Sequence, residues 1–214
     1  MEDIGPMSHA NHVLPEFEAS WQRATQANFF LEALSAAEFH WFFVQGLEAL
    51  HTGLYLPGVS ALLNGIEASL RITMRQVALD QADADGEFAL STYKVLSNVL
   101  VTTARDTGLP VEALAFPGEA NFFDKLNTPK QSRIDVEVVR LRNDICHGNI
   151  LPFVGTINDG TDAFFAPESL RNIAADLLGV SLAWAKALGD FRRAKGLTRY
   201  GPTPPIPSRR IAFT

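Results

Sequence analysis

One short stretch of this sequence combines a side chain that moves protons with side chains that bind phosphate. Arg142, Asn143 and His147 lie within residues 141–148, and four residues separate the arginine from the histidine. A histidine at the C-terminal end of a helix can act as both acid and base, because the partial negative charge there favours the protonated imidazole. Arginine offers planar, permanently charged donors that suit the charge developing on a phosphoryl group. These residue types indicate phosphoryl-transfer chemistry.

The neighbouring residues support this pair. Asn143 lies one helical turn before His147, so its amide could orient the imidazole or bind a phosphate oxygen. Gly148 follows the helix in the position that commonly adopts a left-handed conformation. We do not expect Cys146 to act as a nucleophile with His147, because adjacent side chains on a helix diverge by about 100°.

The helix that carries these residues has two apolar sides. The side expected to pack inward consists of Ile134, Val138, Leu141 and Ile145. The opposite side consists of Val136, Val139, Asn143 and Cys146, with Arg142 and His147 at its two edges. Since Val136 and Val139 would not face water, we expect either another part of this chain or a second copy of it to cover them.

Helical periodicity in the apolar residues extends over most of the chain. It predicts a long segment from Pro15 to Gly53 that breaks near Ser35, and a helix that starts at Pro57 and extends at least to Val77. Further helices are predicted over residues 88–106, from Ser132 as N-cap with Asp135 in a capping box, and from Pro167. Residues 80–87 and 149–166 are expected to be loops. The predicted fold is an all-α, up-and-down bundle of four main helices with short additional helices and a Pro-rich C-terminal tail.

The expected domain organisation is simple. Residues 1–13 form a flexible N-terminus, 14–198 one helical domain with an insertion at 109–132 that packs its phenylalanines on the other helices, and 199–214 an extended, basic tail. From Phe191 to the C-terminus there are six basic residues and no acidic ones. This stretch is interpreted either as a tail that attracts phosphates or as a flexible solubilising end.

Composition limits the functional classes. Of 214 residues, 47% are apolar and 20% charged, which is typical of a globular protein with a sizeable core. No apolar run reaches the roughly 18 to 20 residues of a membrane span, and the acidic N-terminus lacks a secretory signal, so we expect a cytoplasmic protein without a membrane partner. The net charge of −6 argues against an extended basic face for long nucleic acids.

Metal and cofactor sites are not expected. The single cysteine, Cys146, excludes an internal disulfide and a cysteine-built zinc site. The aromatic cluster at residues 39–43 is interpreted as core, and neither His40 nor His51 has partners at ligand spacing. His9 and His12 near the N-terminus likewise form no ligand pattern.

The motif at residues 141–148 resembles the signature of a known protein family. Residues 141–148 resemble the R-x4-6-H signature of the HEPN superfamily (higher eukaryotes and prokaryotes nucleotide-binding domains), in which asparagine is the commonest residue after the arginine. Residues 53–61 leading to 66–71 are similar to the family's earlier helix, where small residues precede an acidic one. The resemblance covers about residues 37–189 and points to a stand-alone, bacterial-type HEPN-like protein.

This resemblance implies a metal-independent endoribonuclease that cleaves RNA by transesterification to a 2′,3′-cyclic phosphate, as a toxin or phage-defence effector. It implies a homodimer in which the two motif helices face each other and an RNA substrate lies between them. His147 would transfer protons, Arg142 would stabilise the phosphorane-like transition state and Asn143 would position the pair. Asp144 would tether Arg142 or an opposing arginine, and an antitoxin or another protein would be a further partner. Separately, the i, i+4 spacing of Glu67 and Arg71 predicts either a pair on the surface or support of the site from behind.

Two alternatives remain open. Some HEPN-like domains bind nucleotide, RNA or a partner protein without cutting, so the motif also suits a non-catalytic binding module. In a purely structural interpretation, Arg142 pairs with a carboxylate and His147 only caps its helix.

Overall fold

α-Helices account for most of the described chain. The computed structural model describes residues 15–81, 95–157, 162–198 and 204–207. These ranges contain seven α-helices: α1 (Pro15–Leu34), α2 (His40–His51), α3 (Tyr55–Gln81), α4 (Asn98–Asp106), α5 (Phe122–Leu126), α6 (Glu137–Cys146) and α7 (Arg171–Ala194). The β-structure in these ranges is one antiparallel hairpin of β1 (Gly155–Ile157) and β2 (Asp162–Phe164), with Gly155 opposite Phe164. The predicted all-α class is confirmed.

The long N-terminal helical segment divides at Ser35, as predicted. Ser35 has a positive φ of 46°, which few residues other than glycine adopt, and its hydroxyl donates to the carbonyl of Glu32 at 2.7 Å. The chain then turns and starts α2 at His40. Gly53, with φ 75°, follows α2 and ends it, which was also predicted.

The next helix is longer at both ends than predicted. α3 begins at Tyr55, two residues before the expected start at Pro57, and runs to Gln81. Asp80 and Gln81 therefore belong to a helix, and the expected loop from Asp80 is wrong at those two residues. The rest of that loop lies outside the described residues.

The predicted third helix starts too early. Residues 95–97 are not helical, residues 88–94 lie outside the described chain, and α4 starts at Asn98. The Ser97 hydroxyl accepts a hydrogen bond from the Leu100 N–H at 3.3 Å, and the Glu67 carboxylate accepts the Leu96 N–H at 2.7 Å. The Glu67 carboxylate takes the Leu96 N–H and Ser97 caps the first turn, so the helix begins directly after Ser97.

The core forms where the long helices meet. α2 and α7 both pack on α3, and α1 packs on α2 and α7. Gly189 of α7 approaches α1 so closely that a Cβ there would lie 2.3 Å from the Ala33 carbonyl oxygen. The Arg193 guanidinium donates to the carbonyls of Ala33 at 2.9 Å and Glu32 at 2.7 Å, which satisfies the end of α1. Trp184 Nε1 donates to Ser69 Oγ at 2.8 Å and joins α7 to α3.

A buried arginine lies in this core. Arg192 is 2% exposed, and its Nη1 donates to Thr73 Oγ1 at 3.2 Å and to Gln76 Oε1 at 2.5 Å. Its guanidinium also lies over the Phe39 ring, 5.3 Å from the centroid. Burial lowers the pKa of Arg192, and the charge of Glu38 partly offsets this. Arg192 and Arg193 therefore belong to the packing of α7, so assigning them to a free basic end was wrong.

The aromatic cluster at residues 39–43 was predicted to be buried in the core, and only part of it is. Phe39 and Phe43 are buried, whereas Trp41 and Phe42 are exposed. His51 is buried, and its Nε2 lies 3.1 Å from Gln26 Oε1 of α1. Burial, and secondarily the charge of Arg23, lower the pKa of His51 to about 4, so the ring is neutral near pH 7.

Short elements cover the remaining surface. A 3-10 turn at Val111–Leu114 packs on α7, α5 packs on α4, and Phe116 and Phe122 are buried while Phe123 is exposed. The predicted loop at 149–166 contains a 3-10 turn at Leu151–Phe153 and the β-hairpin. The expected helix from Pro167 begins as a 3-10 turn and becomes α7 at Arg171. The N-terminal segment 1–13 lies outside the described residues, and of the tail 199–214 only Pro204–Pro207 is described, without helix or strand.

Candidate functional site

The helix that carries the motif starts later than predicted. α6 begins at Glu137 with Val136 as its N-cap, and Ser132 ends a separate 3-10 turn. The predicted capping box of Ser132 and Asp135 is therefore wrong. The first donors of α6 are satisfied from elsewhere, because the Glu119 carboxylate accepts the Glu137 N–H at 2.9 Å and Asn98 Oδ1 accepts the Val136 N–H at 3.2 Å.

Glu119 and Asn98 also hold the segments around this helix start. The Glu119 side chain, which is 2% exposed, pairs with Lys125 at 2.8 Å and accepts the Phe116 N–H at 3.2 Å. The Asn98 amide donates to the carbonyls of Ile134 at 2.8 Å and Lys125 at 3.3 Å. The insertion thus fixes the position at which α6 begins, a role that its sequence did not reveal.

The prediction that α6 has an inward apolar side and an opposite, separately covered apolar side is only partly right. Val138 and Leu141 are buried and Ile145 packs on the core, as predicted, but Ile134 is 55% exposed because it precedes the helix. Val136 and Val139, expected on the opposite side, are buried within this chain. Of the two ways to cover that side, the chain itself supplies the cover for these valines, so they give no reason to invoke a second copy.

Arg142 is half-buried and is oriented by its neighbour. Its Nη1 lies 3.4 Å from Asn143 Oδ1, and its Nε is buried without a hydrogen-bond partner among the described residues. The Asn143 amide nitrogen donates to Asp135 Oδ2 at 3.1 Å. Since a carboxylate only accepts and a guanidinium only donates, these two neighbours fix which end of the amide faces which. Asp135 thereby positions Asn143, a role that sequence reasoning missed.

His147 is exposed at the end of α6. It is the C-cap residue, its backbone N–H donates to the Asn143 carbonyl at 3.0 Å, and Gly148 beyond it has the predicted left-handed conformation with φ 69°. No hydrogen bond joins its imidazole to Arg142 or to any other residue in the described ranges. The imidazole is therefore accessible to a substrate.

Within the described residues Asp144 makes no contact with Arg142, whereas a contact with an opposing arginine stays a prediction. The Asp144 carboxylate accepts from Arg140 Nη1 at 2.8 Å and from the Asn149 amide at 2.7 Å. Arg140 also donates to Glu137 at 2.7 Å. Asp144 therefore stabilises α6 and the turn after it. The spacing of Glu137, Arg140 and Asp144 could have revealed this ion-pair chain.

Glu67 and Arg71 form the predicted i, i+4 pair on α3. Their side chains lie 3.4 Å apart, and Glu67 additionally holds the Leu96 N–H. Neither makes a hydrogen bond to Arg142 or His147 in the part of the chain that the structure describes. Their contacts anchor the chain at the start of α4, and no described contact brings them together with the motif.

The described residues contain neither a group of metal ligands nor a membrane-spanning helix. Within residues 15–81, 95–157, 162–198 and 204–207, no three His, Cys, Asp or Glu side chains group as metal ligands do. Among the helices in those ranges, none is long and apolar enough to cross a bilayer.

Comparisons with known proteins do not extend this picture. No protein-family model, curated protein or solved structure matches the chain. The geometry of α6 and its residues Arg142 and His147 are therefore the basis for a proposed function.

Proposed function

We propose that this protein is a HEPN-type, metal-independent endoribonuclease whose site is built from Arg142 and His147 on α6 of two copies. The observation that carries the proposal is the exposed imidazole of His147 at the C-terminal end of the helix that also presents Arg142. The half-buried guanidinium uses Nη1 to contact Asn143 and retains other terminal N–H donors for an anionic oxygen. The proposal includes an up-and-down HEPN bundle over residues 14–198.

The proposed reaction is an internal transesterification. The ribose 2′-oxygen attacks the adjacent phosphorus while the bond from phosphorus to the 5′-oxygen breaks, leaving a 2′,3′-cyclic phosphate. One imidazole takes the 2′-hydroxyl proton, and the protonated imidazole of the second copy gives a proton to the departing 5′-oxygen. Arg142 stabilises the additional negative charge in the transition state. Asn143, held by Asp135, positions Arg142.

The decisive experiment is RNA cleavage in the presence of EDTA. We expect His147→Ala and Arg142→Ala to lower the cleavage rate by about a hundredfold or more, in line with the loss of a general acid–base or of a transition-state contact. The wild-type products should carry 2′,3′-cyclic phosphate ends by mass spectrometry. Cys146→Ala is the matched control, because Cys146 is exposed beside His147 and has no role in the mechanism. Equal rates in wild type and both variants would exclude the nuclease.

A non-catalytic module that binds nucleotide, RNA or a partner protein, such as an antitoxin, is the second candidate. It is favoured by the exposed apolar side chains of Ile150 and Leu151, which directly follow the motif and suit contact with a base or a protein surface. In that case His147→Ala would weaken binding in a filter or calorimetric assay, and no cleavage would occur. Both candidates are consistent with a cytoplasmic location.

A further inference from the structure

One face of α1 lies against the C-terminal proline segment. Six residues at helical spacing form this face: Trp21, Ala24, Thr25, Asn28, Phe29 and Glu32. Together with Pro204, Pro205 and Pro207 they enclose a cavity of about 290 Å³. Phe29 is 3% exposed and belongs to the core, whereas Trp21 is 68% exposed and presents an aromatic ring beside the segment. The composition of the face indicates that it binds an apolar ligand.

The burial pattern of the segment has a period of three. Pro204 and Pro207 are half-buried, whereas Pro205 and Ile206 between them are exposed. A polyproline II helix has three residues per turn, so residues three apart point in the same direction. The segment therefore has the pattern of a polyproline II ligand that directs every third residue at α1.

The chemistry of the face suits such a ligand. Proline-rich segments bind to surfaces lined by aromatic rings, which here are those of Trp21 and Phe29. Proline lacks an N–H, so its backbone only accepts hydrogen bonds. The Thr25 hydroxyl already donates to the Trp21 carbonyl at 2.8 Å, which leaves the exposed Asn28 amide and the Trp21 indole N–H as donors for the ligand.

The connection from α7 makes this contact intramolecular. Arg193 holds the carbonyls of Glu32 and Ala33, so α7 ends beside the C-terminal end of this face. The seven residue-to-residue steps from Leu197 to Pro204 span up to about 23 Å when extended. The face from Trp21 to Glu32 is about 16 Å long at 1.5 Å per residue. A short tether of this kind gives an effective concentration in the millimolar range, so a weak site is filled.

We propose that this face of α1 is a recognition surface for a polyproline II segment with prolines three residues apart, and that the chain's own Pro204–Pro207 segment is its resident ligand. The segment competes with any proline-rich ligand added from outside. When the Pro204–Pro207 segment leaves the face of α1, an added proline-rich ligand can bind there. This surface is independent of the nuclease proposal, because it uses none of the α6 residues.

Competition in the full-length protein tests the proposal. The probe is a fluorescently labelled synthetic peptide of residues 201–210, whose binding is followed by anisotropy. The Pro204→Ala/Pro207→Ala protein should bind the peptide with a Kd at least about tenfold lower than the wild type, because its own segment no longer competes. Ile206→Ala is the matched control, since Ile206 is exposed and does not line the cavity, and its Kd should equal that of the wild type.

Two further variants identify the surface. Adding Trp21→Ala to the double proline variant should abolish peptide binding, whereas adding Trp41→Ala, an exposed tryptophan of α2, should leave it intact. Thermal unfolding of each variant checks that it is folded. The proposal fails if the double proline variant binds no tighter than the wild type, or if the two tryptophan variants behave alike.

Discussion

Asn143 shows how a single amide acquires a fixed orientation. Its nitrogen faces Asp135 and its oxygen faces Arg142, and reversing the amide would oppose oxygen to oxygen and nitrogen to nitrogen. A residue that precedes the helix thus acts on the guanidinium of Arg142 through one side chain. Asp135 is a positioning residue for the proposed reaction.

Removing Asp135 should loosen Arg142 without unfolding the protein. We expect Asp135→Ala to lower kcat for RNA cleavage by about tenfold with little change in KM, because a transition-state interaction is weakened. Asp135→Asn keeps an oxygen that accepts from Asn143, so it should restore most of the rate. The Asn143 side-chain amide resonances should shift in Asp135→Ala by NMR, whether or not the protein cuts RNA. Loss of activity in Asp135→Asn equal to that in Asp135→Ala would contradict the positioning role.

Local spacing could predict only part of these contacts. The Arg140 pairs with Glu137 and Asp144 lie at i±3 and i±4 on one helix and can be read from sequence. The contact of Asp135 with Asn143 cannot, because Asp135 lies before the helix and its position depends on the turn that precedes α6. Exposure of His147 follows from its place at a helix end, whereas burial of Val136 and Val139 depends on packing by distant segments.

At the scale of elements, local signals placed several helix ends well and tertiary contacts displaced others. The sequence predicted the start of α1 at Pro15, the break near Ser35 and the end of α2 at Gly53. The start of α6 was predicted wrongly because Glu119 and Asn98, 18 and 38 residues before the groups they bind, replaced the local cap. Capping by distant residues has no sequence signature.

The contact between α1 and α2 should make stability depend on pH. His51 has a folded-state pKa of about 4 against an ordinary value of 6.5, so the folded protein binds fewer protons than the unfolded chain between these values. The stabilisation is fully present above pH 6.5 and decreases as the pH falls towards 4. We expect a loss of up to about 3 kcal/mol in the free energy of unfolding from this group.

Urea unfolding at pH 7, 6, 5 and 4 measures this effect. A His51→Gln protein, which has no titrating group at this position, should lose less stability over the same interval. An identical pH profile for His51→Gln and the wild type would show that other groups cause the decrease.

At the scale of the whole molecule, the apolar surface of Ile150 and Leu151 supports the proposal that two copies of the chain form a dimer. The net charge of −6 provides no general attraction for RNA, so in the proposed nuclease RNA would bind through local groups such as Arg142. Leu151 is 79% exposed, and Ile150 beside it is also exposed. Apolar side chains at this position would be covered if two copies pair along α6.

A charge placed in that surface should separate the copies. We expect the wild type to be a dimer by light scattering at micromolar concentration and Leu151→Asp to be a monomer, because dimerisation would bury an unpaired carboxylate. RNA cleavage should fall in parallel, since in the proposed site each copy would supply one His147. Leu79→Asp alters an exposed leucine on α3 and should leave the dimer and the activity unchanged. A monomeric wild type would contradict the composite site.

The joint between α1 and α7 also governs the order in which the protein can fold. Arg193 and Ala33 are 160 residues apart in sequence, and the Trp184 contact with Ser69 spans 115 residues. Contacts of such long sequence separation slow folding, because much of the chain must be confined before they form. As the chain emerges from a ribosome, α1 to α6 appear while the surface that receives α7 is still uncovered. The core closes only once α7 has been synthesised, so α1 to α6 cannot complete their packing before then.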